Sequence, residues 1–275
     1  MNTPSPLVRM LVHGGLFLFT LAVLYPVAWV VSMAVSPSQT FASGVLPLPT
    51  GVDSANMMHV TSGLFGRQLL NSVFVAVGTA VMGLGLSTTA AYALSRFRFP
   101  GREQGLGLFL ATQMFPQVVL AIPLYLLLDE LHLLDSLMGL VLVYSATSVP
   151  FSTFTLKGWF DSLPKDLEEA ALLDGASRWQ TFVWILLPLA RPALAVTFLF
   201  SFMQAWNEFA LANTLLSDPR SFTLPIVLQH YVSDYGTEWG HFAAGAVLVS
   251  LPVMALFFAL QKQFVEGLTA GAVKG

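Results

Sequence analysis

Long apolar runs separated by short polar breaks set the pattern of this chain. Six stretches, at residues 11–35, 69–95, 105–128, 136–156, 191–214 and 241–262, dominate it. Each comes close to the roughly 20 apolar residues a helix needs to cross a ~30 Å hydrocarbon layer. The first run follows Arg9 and contains Tyr25, Pro26 and Trp29. It exceeds the roughly 7–15 apolar residues of a signal peptide and is read as a retained span. The pattern predicts an all-α membrane protein with six transmembrane helices.

The polar breaks are uneven. Residues 36–68, rich in Pro, Ser, Gly and Thr, are expected to form an outer loop with little regular structure. Asp129, Glu130 and Asp135 predict a short acidic turn, and residues 215–240 a longer loop with Tyr231, Tyr235 and Trp239 near the interface. The chain divides into residues 1–68, the first span and first periplasmic loop, and a transmembrane core at 69–275 that includes a charged segment at 157–190.

Composition sharpens this picture. The chain is 55% hydrophobic and only 10% charged, whereas soluble domains carry about 25% charged residues. Most of its surface must therefore face lipid. A net charge of −3 argues against a nucleic-acid partner, which requires a basic face. With no cysteine, disulfides, thiolate metal sites and thiol nucleophiles are excluded. His13, His59, His132, His230 and His241 show no metal-ligand spacing and are read as loop or interfacial residues, so no metal is expected.

The basic residues give an orientation. Arg9, the 2–3 loop (Arg96, Arg98, Arg102), the 4–5 segment (Lys157, Lys165, Arg178, Arg191) and the C-terminal Lys262 and Lys274 fall on one side, leaving Arg67 and Arg220 on the other. Basic residues near span ends stay cytoplasmic. Both termini are thus expected inside, which agrees with an even number of spans.

The segment 157–190 then lies in the cytoplasm. Ser162 is expected to cap a short helix whose first turn holds Pro164, Asp166, Glu168 and Glu169. Leu163, Leu167, Ala170 and Ala171 recur at helical spacing on one face, with Glu169 pointing away. Gly175 offers the left-handed residue that ends such a helix. Ser177 is placed to cap a second one running to Leu187, where Pro188 disrupts its continuation.

Glu169-Ala170-Ala171, Gly175, Ile185, Leu187 and Pro188 fill every position of the pattern EAA-x3-G-x9-I-x-LP. On these residues the chain resembles the permease subunits of ABC importers. Arg96-Phe97-Arg98-Phe99-Pro100-Gly101, Gln113-Met114-Phe115-Pro116, Trp239-Gly240-His241-Phe242-Ala243-Ala244 and the tail from Gly267 to Gly275 narrow the likeness. They are similar to the smaller, six-span permease of maltose/maltodextrin transporters.

The resemblance implies a type I ABC importer permease fold in a bacterial inner membrane. It also implies that residues 157–190 form a coupling loop docking on a separate ATPase dimer. Glu169 would face a basic group there, and Gly175 would permit the fitting turn. Further implied partners are a second, larger permease and a periplasmic or lipid-anchored sugar-binding protein, with the outer loop around 217–240 facing the latter. The tail would run extended between the ATPase subunits, unless it is disordered. The chain has no GxxxxGK[ST] loop, so ATP and Mg would sit on the partner ATPase. No catalytic residue or cofactor of its own is expected.

Within the fifth run, Gln204, Trp206, Asn207 and Glu208 form a candidate translocation path. Amides, a carboxylate and an aromatic face suit a sugar, and an acid at span depth faces a cavity or a partner. An equal case can be made that Glu208 pairs with a neighbouring span or with the second permease. In the third run, Pro116, Pro123, Gln113 and Gln117 predict a kinked helix. Ser87, Thr88 and Thr89 are expected at a close helix contact. An ion-driven secondary transporter or an intramembrane enzyme would need paired acids or a nucleophile–base arrangement at span depth, and neither pattern is evident.

Overall fold

The structure is a computed structural model and describes residues 5–41, 46, 48, 49, 51–233 and 236–272. The chain forms two compact units, residues 1–66 with 227–251, and residues 67–226 with 252–275.

The first unit opens with α1 (Pro6–Val35), started by Ser5, whose hydroxyl accepts the Val8 N–H, and by Pro6 in the first turn. Leu7, Leu11, Phe17, Leu18, Phe19 and Leu24 are all exposed around its circumference. A helix apolar all round and left uncovered by its own chain is a lipid-facing helix. Burial begins only at Ser32, Met33 and Ala34.

The loop expected to be irregular contains a helix, α2 (Ala55–Thr61). Asp53 Oδ1 accepts the Ala55 N–H at 3.1 Å. Asn56, buried, donates to the Ser36 carbonyl at 2.7 Å and accepts from Gln39 Nε2 at 2.6 Å. Seven residues held by one buried amide carry little periodicity, so no apolar pattern announces them. A two-stranded antiparallel ribbon, β1 (Val232–Ser233) and β2 (Gly236–Thr237), precedes the last helix. Tyr235 lies outside the described residues.

The second unit is built around α3 (Phe65–Arg96) and α6 (Leu137–Ser162). Small residues let them approach: a Cβ on Gly78 would sit 3.0 Å from Val141 Cγ2, and one on Gly83 2.7 Å from Ser148 Oγ. Ser87 takes the role expected of it, donating across to the Val149 carbonyl at 3.3 Å. Thr88 and Thr89 instead bond back to Leu84 and Gly85 of their own helix.

The third apolar run is not one straight helix. It comprises α4 (Arg102–Gln113), a 3-10 turn (Gln117–Leu120) and α5 (Ala121–Glu130), bent by 97°. Pro116 drives the residue before it out of the helical region and donates no hydrogen bond, which fixes the break where a kink was expected. The acidic turn is more ordered than its composition suggests. Asp135 adopts φ 53° and its carboxylate accepts the N–H groups of Ser217 and Asp218.

The segment after α6 holds α7 (Asp166–Leu173), α8 (Arg178–Thr181), a π turn (Phe182–Leu186) and α9 (Leu187–Leu189). It turns by 77° into α10 (Arg191–Asn207). The fifth run breaks again after Asn207 and resumes as α11 (Ala210–Leu215). α12 (Leu224–Gln229) spans the boundary between the units, as does α13 (Trp239–Ala272).

Among the described residues, four helices are long and apolar enough to cross a membrane unbroken, or six if each bent pair counts as one span. Hydropathy conceals the size of these bends, because one or two prolines interrupt the geometry while barely lowering the mean over a whole run. The tail also departs from expectation. Through Ala272 it continues α13 as helix rather than running extended, and Val273, Lys274 and Gly275 lie outside the described residues.

Candidate coupling and transport site

Helix α7 carries the Glu169 signature. Ser162, expected as its cap, ends α6 and donates to the Trp159 carbonyl at 2.7 Å. Pro164 forces Leu163 into extended backbone, so α7 starts only at Asp166. Asp166, Glu168 and Glu169 crowd its first turn, where the helix dipole favours acids.

Its end matches the expected chemistry closely. Gly175 has φ 87°, its N–H donates to the Leu172 carbonyl at 3.1 Å, and the Ala176 N–H reaches the Ala171 carbonyl at 3.0 Å. These two bonds close a Schellman motif. Ser177 and Gln180 then form a reciprocal capping box for α8. Pro188 does not stop this second helix, which continues to Leu189. Lacking an N–H to return to the preceding turn, it is accommodated by the π turn just before it.

The signature residues divide by exposure. Glu169 and Ala170 are exposed on α7, whereas Ala171 is buried against the rest of the chain. Leu187 packs beside a buried cluster of Leu156, Phe160, Phe182 and Leu186. Ile185 borders a shallow groove with Asp174, Gly175, Ala176, Gln180 and Trp184, and Pro188 is exposed. Leu173 is 88% exposed and Trp184 75%. Large apolar side chains thus stand bare beside an acidic helix.

Three residues not assigned to the site from sequence, Arg96, Tyr92 and Glu168, hold α7 in place. Arg96, at the end of α3, pairs through Nε with Glu168 Oε1, and its Nη2 donates to the Leu163 carbonyl at 3.2 Å. The two side chains are only 5% and 15% exposed. Tyr92 approaches Glu168 Oε2 at 3.5 Å and lays its ring 4.6 Å from that of Phe182. Beside them Asp161 ties the end of α6 to α3, accepting from Ser95 and Lys157, both at 2.6 Å. Arg96 and Glu168 lie far apart in the chain, so no local pattern joins them. The one local hint was that Glu168 lies about 100° round α7 from Glu169, so the two acids cannot share a partner face.

The candidate translocation residues are not brought together as a lining. Trp206 is buried and stacks on Phe202 at 5.3 Å. Asn207 donates to the Met203 carbonyl of its own helix at 2.8 Å. Glu208 accepts the Leu211 and Ala212 N–H groups at 2.8 and 3.0 Å and the Tyr144 hydroxyl at 2.5 Å. Its carboxylate thus caps α11 and pins it to α6. Gln204 is half-buried and places Nε2 3.5 Å from Thr147 Oγ1, while Asn207 is the one exposed member of the four. Thr147 lines a cavity of about 560 Å³ under the α4–α5 bend, with Thr112, Gln113 and Gln117 as its other polar members and Phe109, Phe115 and Leu86 among its apolar ones.

Residues 82–269 match the family model described as the binding-protein-dependent transport system inner membrane component. The chain belongs to that family. It is a multi-pass membrane transport component, not an enzyme, with the type I ABC importer permease fold. The permease is 38% identical to the galactooligosaccharides transport system permease protein of Bacillus subtilis, over 92% of this chain and 91% of that one. It is equally 38% identical to the maltose/maltodextrin transport system permease protein of Salmonella typhimurium, over 98% of each. The trehalose permease of Mycobacterium tuberculosis is 35% identical over 92% of this chain and 93% of that one. Among solved structures, a chain of a bacterial ABC transporter involved in the import of the polysaccharide alginate superposes with a TM-score of 0.78 at 27% identity. That match covers 96% of this chain and all of the other.

Proposed function

We propose that this permease is one of two unlike membrane subunits of an ATP-driven importer for an oligosaccharide. The cargo would be delivered by a periplasmic or lipid-anchored binding protein and released to the cytoplasm. The observation that carries the reading is the exposed, Schellman-ended helix α7, with Glu169 outward and Leu173 and Trp184 bare beside it. Such a helix can sit in a cleft of an ATPase subunit while the strap to Arg96 passes its displacement to α3 as a rigid body. ATP and Mg are held by the ATPase dimer.

Relatives named for maltodextrin, galactooligosaccharide, trehalose and diacetylchitobiose support a glycoside cargo. Maltose or maltodextrin is the first choice because the maltodextrin relative matches along nearly the whole chain. The ten basic residues of the N-terminus, the 2–3 loop, the coupling segment and the tail favour both termini in the cytoplasm. Polar positions around the α4–α5 bend, chiefly Gln113, Gln117 and Thr147, together with Gln204 at its margin, are assigned to the cargo route.

The test is Glu169→Lys in the co-expressed complex. A charge-assisted contact is worth about 1.5–3 kcal/mol, or roughly a 10–100-fold weaker association. Pull-down of the ATPase and uptake of labelled maltodextrin should fall together, while the detergent-solubilised chain keeps its thermal midpoint. Full uptake in Glu169→Lys would sink the docking role.

A further inference from the structure

The histidines scattered through the sequence do not stay scattered. In the first unit, His59 of α2 stacks on His241 of α13 with ring centroids 3.9 Å apart and planes 12° from parallel. Glu238, immediately before α13, places Oε2 2.7 Å from His241 Nδ1. One ligand atom from each of the three residues falls within 4.8 Å of the other two. Glu238 and His241 form an Glu-x-x-His pair on adjoining turns, and His59 arrives from a separate helix.

The backbone beneath this cluster is fastened independently of it. Gln39 accepts the Trp239 N–H through its carbonyl at 3.1 Å and the His241 N–H through Oε1 at 3.2 Å. Its Nε2 donates to Asn56, on the first turn of α2. A Cβ on Gly240 would stand 2.6 Å from Asn56 Nδ2, so the two helices meet here at glycine distance. The three donors therefore sit on two segments already held together. Tyr231 flanks both imidazoles, with ring centroids 6.3 Å from His59 and 5.6 Å from His241.

We propose that His59, Glu238 and His241 form a binding site for a divalent transition-metal ion, with Zn²⁺ the best fit. Two imidazoles and one carboxylate are a donor set that zinc takes tetrahedrally, leaving the fourth position to water. Bonds of about 2.0–2.2 Å require donor atoms about 3.3 Å apart. Stacked rings direct their lone pairs side by side, so His59 must turn its ring edge towards His241 to share an ion, and His59 and Glu238 are both exposed. The neutral His241 ring binds the ion through Nδ1 with its one N–H proton on Nε2, so the ion takes the place of the contact between Nδ1 and Glu238 Oε2. Occupied, the site clips α2 to the start of α13.

The experiment uses the full-length chain in detergent, carrying an affinity tag without histidine and stripped of metal. Titration with Zn²⁺ against a chromogenic chelator should give one ion per chain, bound at about 1 µM or tighter, and a rise in thermal midpoint at saturation. His59→Ala, Glu238→Gln and His241→Ala should each weaken binding at least about tenfold, the loss of one ligand's share, and His13→Ala should not. Substoichiometric binding, or binding unmoved in the double variant His59→Ala/His241→Ala, overturns the site. Should a variant fail to fold, diethylpyrocarbonate modification of the wild-type chain decides. One equivalent of Zn²⁺ should protect His59 and His241, and unchanged modification of both overturns the proposal.

Discussion

Arg96→Ala will abolish transport while leaving the spans inserted. The substitution strands the Glu168 carboxylate in a pocket where its only other side-chain partner is Tyr92, at 3.5 Å, and it frees the Leu163 carbonyl. Breaking a buried ion pair from one side costs about 3–5 kcal/mol. Glu168 keeps some contact with solvent, so about 2–4 kcal/mol is expected. That is enough to detach α7 from α3 in most molecules. The helix still presents Glu169, so the ATPase should be captured nearly normally while uptake fails, whereas in Glu169→Lys capture and uptake fall together.

Two further variants isolate the cause. Arg96→Ala/Glu168→Ala removes both charges and should recover much of the thermal midpoint, because no unpaired charge remains. Arg96→Lys should recover less transport, since a lysine cannot serve the carboxylate and the Leu163 carbonyl with one planar fork. Wild-type uptake by Arg96→Ala, measured in proteoliposomes, would refute the strap as the transmitting element.

The second large effect is expected at Glu208. Glu208→Ala removes the acceptor of two backbone N–H groups and of the Tyr144 hydroxyl. Each orphaned buried donor costs about 1–3 kcal/mol, so a loss of about 2–4 kcal/mol is expected after partial relaxation. Yield and thermal midpoint should drop before any effect on cargo affinity is visible. Glu208→Gln keeps one carbonyl oxygen and should fall between, and Tyr144→Phe should cost about 1 kcal/mol. Normal yield for Glu208→Ala with a raised half-saturation for sugar would instead return Glu208 to the cargo route.

These two residues show where a sequence stops being readable. Apolar run length located the four long apolar helices and the two bent pairs, because hydropathy is a sum over local residues. The turn at Gly175 and the cap at Ser177 were legible for a similar reason: each is settled by chemistry within four or five positions. The bend at Pro116 was legible as a kink but not as 97°, since the angle depends on what α4 and α5 pack against. Arg96 with Glu168, Tyr144 with Glu208 and His59 with His241 were not legible at all. Each pair is joined by tertiary packing across 72, 64 and 182 positions respectively, obtained as differences of residue numbers. Ser162 misled because an N-cap signature says nothing about which of two adjoining helices owns the residue. The expectation of little regular structure in the first loop failed at α2, whose order comes from Asn56 and Gln39 rather than from its own periodicity.

The left-handed backbone at Gly175 bears on how this chain can drift. Nothing lies within 4 Å of where a Cβ would be, so a side chain there meets no obstacle and the whole penalty is conformational. It is about 1–2 kcal/mol for most residues and less for Asn and Asp. A single base change in a glycine codon yields Ala, Val, Ser, Cys, Arg, Trp, Asp or Glu, but never Asn. Aspartate is therefore the one tolerable neighbour within a single mutational step. It would follow Asp174 in the sequence and set a second negative charge at the helix's negative end. Point mutation alone thus offers this position almost no exit, and glycine should persist there even in lineages whose cargo has changed.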